Sequence, residues 1–123
     1  VDRVSAIRSA CDIAILSGDD ALAYPMIAVG AQGVISVASN LVPGPIAGLI
    51  RAALAGEAAR ARELHLTYWP LFHALFLDTN PIPIKAAMAM TGLIEETYRL
   101  PLCAPSDEVK RALRATLTQL NLL

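Results

Sequence analysis

Two short runs limit what this chain can fold into. Ile13-Ala14-Ile15-Leu16 passes abruptly into Ser17-Gly18-Asp19-Asp20, and Val34-Ile35-Ser36-Val37-Ala38 passes into Ser39-Asn40. Each run is apolar and rich in β-branched residues, ends in small polar residues, and is followed by a helical pattern. A buried parallel strand reads this way when it delivers a polar tip to a site at its carboxyl end. The spacing predicts a strand over 13–17, a Gly18-Asp19-Asp20 turn, and a helix through Met26, Ile27 and Val29. Pro25 is tolerated only near that helix's first turn, so the helix is expected to begin between residues 21 and 24. Gly30 ends it, and Gly33 opens a second strand over 34–38. Pro43 and Pro45 then introduce a helix over 46–54, stopped by Gly56. This order is β-α-β-α with short connections, a right-handed crossover whose apolar strands should be covered on both faces.

The remainder reads as helix. Residues 1–10 carry Val1, Val4 and Ile7 against Asp2, Arg3 and Arg8, and the absence of a lead-in gives the expectation that they end a longer element. From Glu57 to Phe76, Leu64, Tyr68, Leu71, Phe72 and Leu75 share one side, while Arg60, Arg62 and Glu63 share the other. Pro70 should kink or split this helix. Asn80-Pro81-Ile82-Pro83 reads as an extended connector, Pro83 as the start of a helix through Met90, and Gly92 as its stop. After another Pro-bounded link over 100–105, Ser106 is the natural N-cap of a last helix from Asp107 to about Leu120. The expected organisation is therefore a βα part over 1–56 and a helical part over 57–123.

Composition excludes several classes. The chain has 123 residues, is 55% apolar and 17% charged, and carries a formal net charge of -1. That composition belongs to a folded domain rather than a disordered one, and the scattered basic residues make no footprint for nucleic acid. No apolar run has the length of a membrane span, and the charged first ten residues do not suit a secretory signal. Cys11 and Cys103 lack metal-ligand spacing and read as free thiols in a reducing cytoplasm. No metal motif, phosphate loop or nucleophile elbow is present, so no metal or cofactor is expected.

Two readings of the first strand tip stay open. Asp19 or Asp20 caps the following helix, or the same carboxylates face a pocket above the strands. His65 and His73 have no catalytic partner at ligand spacing. Lys85 and Lys110, the only lysines, lie far along the chain from both tips. A nucleophilic lysine must be desolvated or set beside another cation, and nothing around Lys85 predicts that.

The runs Leu16-Ser17-Gly18-Asp19-Asp20, Gly33-Val34-Ile35-Ser36-Val37 and Asn80-Pro81-Ile82-Pro83-Ile84-Lys85, with Arg99-Leu100-Pro101-Leu102 and the closing Leu122-Leu123, resemble the carboxy-terminal half of the dihydrodipicolinate synthases. These belong to the wider group of pyruvate-dependent aldolases that includes N-acetylneuraminate lyase. The resemblance implies an α/β fold: the last two βα units of a (β/α)8 TIM barrel, followed by an all-helical carboxy-terminal extension. It implies a lyase that condenses pyruvate, held as a Schiff base, with aspartate semialdehyde in lysine biosynthesis. On this mapping the strands are the seventh and eighth of the barrel. Ile35 packs against the lysine-bound pyruvate, Gly18 and Asp19 line the same pocket, and Asp20 lies at the substrate end. No catalytic residue falls within the chain, because the Schiff-base lysine is expected upstream of Val1. An amino-terminal half-barrel and further copies of the chain are the implied partners. Two alternatives are a short half-barrel assembly module without catalysis and part of a keto-acid sugar aldolase.

Overall fold

The computed structural model describes all 123 residues. Helix α1 (Asp2–Ala10) places Asp2 in its first turn and Arg8 in its last, matching the helix dipole at both ends. Strand β1 (Leu16–Ser17), helix α2 (Asp20–Ala28) and strand β2 (Gly33–Val34) follow, then a 3-10 turn (Ala38–Asn40) and helix α3 (Pro43–Leu54). The strands are parallel, with Leu16 opposite Gly33 and Ser17 opposite Val34. Three helices complete the chain: α4 (Ala58–Ala74), α5 (Ile82–Met90) and α6 (Asp107–Gln119).

Both strands are shorter than expected and are not covered on both faces. Ile13, Leu16 and Ile35 are among the exposed large apolar residues, and residues 38–40 of the second run curl into the 3-10 turn. Cross-strand hydrogen bonding nevertheless reaches past the regular strands. Gln32 N–H donates to the Ile15 carbonyl at 2.8 Å and Ile35 N–H donates to the Ser17 carbonyl at 2.8 Å. Close approach suits Gly33, where a Cβ would lie 3.1 Å from Leu16 Cδ2.

The prolines also depart from expectation. α2 starts at Asp20, so Pro25 lies inside it rather than in its first turn. α4 runs unbroken through Pro70. An interior proline costs about 3 kcal/mol through its missing N–H and its clash with the preceding turn. Beyond Pro70 the helix buries Leu71, Phe72 and, past its end, Leu75. Each such side chain returns about 1.5–3 kcal/mol, enough to hold the helix together. α3 starts at Pro43 rather than Ile46, with proline in its first turn. The expected extended connector at 80–83 is instead a turn leading into α5, with Asn80–Pro81 cis; Leu100–Pro101 is also cis.

The backbone gathers into two compact units, 1–67 and 68–123, and α4 belongs to both. In the first, Val4, Ile27 and Ala31 form a buried cluster flanked by Ile15, Met26 and Ile50, and Leu49 is fully enclosed on α3. Gly56, at φ +75°, turns the chain out of α3 toward α4, a conformation that favours glycine. In the second unit α5 packs on α6, and Leu71, Leu75, Leu113 and Leu117 are fully buried. Ser106 Oγ accepts from Val109 N–H at 3.3 Å, the anticipated N-cap of α6.

Candidate functional site

The polar tips of β1 and β2 lie side by side because the strands are parallel and adjacent. At the first tip Ser17 is completely buried. Its hydroxyl donates to the Asp19 carbonyl at 2.7 Å and accepts from Asp19 N–H at 3.1 Å, folding the turn onto itself. Asp19 is the N-cap of α2, its Oδ1 accepting from Ala21 N–H at 2.7 Å and Leu22 N–H at 3.3 Å. The capping reading is thus realised at Asp19. Asp20 does something different. Its Oδ2 crosses to the other tip and accepts from the amides of Val37 and Ala38, both at 3.0 Å.

Gly18 and Ile35 are open. A Cβ added at Gly18 would meet no atom within 4 Å, and Gly18 is not among the positive-φ glycines. Nothing within the chain therefore demands glycine there. Ile35 is 67% exposed although its N–H is tied to Ser17. After it, Ser36 Oγ accepts from Ser39 N–H at 2.8 Å and Ser39 Oγ donates to the Ser36 carbonyl at 3.1 Å. The structure thus brings Gly18, Asp19, Asp20 and Ile35 onto two neighbouring tips. Asp19 and Asp20 are engaged with backbone amides there, and the open surface is that of Gly18 and Ile35.

Sequence reasoning named Ser17 in the first tip without giving it a role of its own, and it missed the cross-tip bonds of Asp20. A serine at the end of an apolar run hinted at the first. No local pattern encodes the second. A cavity of about 400 Å³ is lined by Leu16, Gly33, Ser36, Ile46, Ile50 and Arg51 among others. Its walls are mainly apolar and include none of Gly18, Asp19, Asp20 and Ile35, so volume and polar chemistry do not coincide.

The histidines and lysines lie elsewhere and make packing and ion-pair contacts. His65 stacks at a tilt against Tyr24, ring centres 5.9 Å apart, and burial lowers its pKa below the ordinary histidine value. His73 contacts Trp69 at 4.7 Å. Lys85 sits over the Tyr98 ring, 5.5 Å from its centre, and Lys110 pairs with Glu96 at 2.6 Å. That hydrogen bond to Lys110 lowers the Glu96 pKa, and burial first, then the Glu96 charge, pushes the Tyr98 phenol up to about 12. No group of three His, Cys, Asp or Glu side chains could hold a metal ion. Cys11 and Cys103 are free and exposed, and no helix is long and apolar enough to cross a membrane.

Comparison with known proteins gives a consistent picture. The 4-hydroxy-tetrahydrodipicolinate synthase of Synechococcus elongatus is 52% identical over 124 residues, covering 99% of this chain and 42% of the relative. The crystal structure of dihydrodipicolinate synthase from Aquifex aeolicus superposes with a TM-score of 0.96 at 49% identity, over 98% of this chain and 42% of that one. The chloride-inhibited dihydrodipicolinate synthase from Acinetobacter baumannii, complexed with pyruvate, matches with a TM-score of 0.96 at 33% identity, covering 100% of this chain and 43% of that one. The chain thus spans less than half the length of the relatives it matches. The model of the dihydrodipicolinate synthetase family matches residues 1–120, and the chain belongs to that family.

Proposed function

We propose that this chain forms part of the pocket wall of a lyase that condenses pyruvate, bound as a Schiff base, with aspartate semialdehyde in lysine biosynthesis. β1 and β2 act as the seventh and eighth strands of a TIM barrel, and the helices after residue 57 form its carboxy-terminal extension. The observation that carries this reading is the open Gly18 beside the exposed Ile35 on adjacent parallel strand tips. In barrels of this type the site is built from the carboxyl ends of several strands. An uncrowded glycine leaves room for a small keto acid, and an exposed isoleucine offers an apolar wall for its methyl group. Asp19 and Asp20 belong to the same wall and give it shape through the backbone bonds that they accept.

The nucleophile comes from elsewhere. Lys85 and Lys110 are engaged with Tyr98 and Glu96, and neither is placed as a desolvated amine beside a reacting carbon. The Schiff-base lysine therefore belongs to the part of the relatives' length that this chain does not match, an amino-terminal half-barrel. The exposed Ile13 and Leu16 and the open edges of a two-strand sheet are the surfaces such a half-barrel would cover. The whole protein is a cytoplasmic homo-oligomer on this reading, in keeping with the two free thiols of this chain.

The test joins this chain to the amino-terminal part of the Aquifex aeolicus relative. The expected chimera gains the mass of reduced pyruvate after borohydride treatment and condenses pyruvate with aspartate semialdehyde, while the 123-residue chain alone gains no mass. An adduct on Lys85 or Lys110 of the isolated chain would overturn the proposal, as would a folded chimera that fails to take pyruvate.

A further inference from the structure

We infer that Asp20 is a positioning residue, whose buried carboxylate fixes the backbone of residues 35–38 and so presents Ile35 at the pocket wall. The inference rests on the reading of the strand tips as a pocket wall, and it assigns a role to a carboxylate through the backbone amides it binds.

Asp20 is 2% exposed. Aspartate is seldom buried this deeply unless it is paired, yet neither ion pair of the chain includes it. Its partners are the two amides of the opposite tip, both reaching Oδ2 at 3.0 Å. Bonds from amides to a charged acceptor are stronger and more directional than neutral ones. Helix capping does not require Asp20, because Asp19 already caps α2.

The segment held in this way is short and is fixed at both ends. Ile35 N–H is bound to the Ser17 carbonyl, Val37 and Ala38 are bound to Asp20, and Ser36 is locked to Ser39 between them. At the amino-terminal end of this restrained segment stands Ile35, an apolar side chain two-thirds exposed to solvent. Burial of Ile35 is therefore not what the restraint achieves within this chain. The arrangement also carries a cost, since Asp20 Oδ1 is enclosed without a hydrogen-bond partner. Enclosed polar atoms of this kind are few in native proteins and gather where geometry serves function.

The test follows amide exchange and chemical shifts in the isotope-labelled 123-residue chain and in D20A and D20N. In D20A, Val37 and Ala38 are expected to lose protection by about tenfold or more, the Ile35 methyl signals to move, and Ala21 and Leu22 to stay within about twofold. Asparagine keeps one acceptor oxygen, so D20N should restore most of the protection and return the Ile35 signals toward their original position. Should D20A unfold and protection vanish everywhere, D20N decides through the same local signals. Unchanged Val37, Ala38 and Ile35 signals in a folded D20A overturn the inference, as does loss in D20N spread evenly over the chain. None of these readouts needs turnover, so an inactive chimera would count against the pocket reading alone.

Discussion

Asp19 and Asp20 are neighbours in the chain whose carboxylates hold different pieces of backbone. Asp19 turns back to the amides of its own helix, while Asp20 reaches 17 and 18 residues forward to those of Val37 and Ala38. Removing the two should therefore differ in magnitude. Asp19→Ala loses an exchangeable helix cap and is expected to cost about 1 kcal/mol. Asp20→Ala leaves two amides near or within the core without acceptors and should cost about 2–4 kcal/mol. Urea unfolding of the two variants checks the order, and equal costs would mean that the cross-tip bonds add nothing to a cap.

On the proposed reading, Gly18 separates fold from site. A methyl group there meets nothing within 4 Å and no positive φ must be kept, so Gly18→Ala should change stability by less than about 0.5 kcal/mol. In the chimera the same methyl should obstruct the pocket and reduce pyruvate adduct formation by about tenfold or more. Equal adduct formation by Gly18→Ala and the parent would remove Gly18 from the wall.

His65 sets a pH dependence at the mildly acidic end. Burial lowers its pKa in the folded chain below 6.5, so the unfolded chain binds the proton first as pH falls. Its contribution is complete above 6.5 and declines as pH drops toward the lowered folded value. His65→Gln is expected to flatten the thermal midpoint across that interval. An unchanged slope in the variant would assign the effect to other groups.

The Glu96–Lys110–Tyr98 cluster acts at both extremes. The folded pKa of Glu96 is lowered, so its contribution is present above the ordinary carboxylate range and is lost as pH falls through the lowered value. Tyr98 behaves oppositely. Its phenol ionises at about 12 when folded against 10.0 in the reference state, so its contribution is complete below 10.0 and is lost as pH rises toward about 12. An ultraviolet titration of Tyr98→Phe should lack the latest-ionising tyrosine. Lys110→Met should cost about 0.5 kcal/mol near neutrality, in keeping with a partly exposed pair.

What the sequence made legible was mostly local. The β-α-β-α order, the Ser106 cap and the burial of Leu71, Phe72 and Leu75 follow from period, capping chemistry and punctuation. Proline was misleading twice, at Pro25 and Pro70, because packing on either side of a weak point outweighs the point itself. Strand length was overestimated because β-branched residues at 13 and 35 read as buried, whereas in this chain they lie open. The role of Asp20 was not legible at all. It depends on a tip brought near only once the crossover has formed, and nothing in residues 17–20 distinguishes one aspartate from the other.

The bonds from Asp20 to Val37 and Ala38 close loops of only 17 and 18 residues. Loop-closure entropy grows slowly with length, and contacts of small sequence separation are reached early in folding. The two tips and the helix between them, residues 16–40, are thus joined by contacts of small sequence separation. On the proposed barrel reading, whatever encloses Ile35 meets a tip that these bonds have already set.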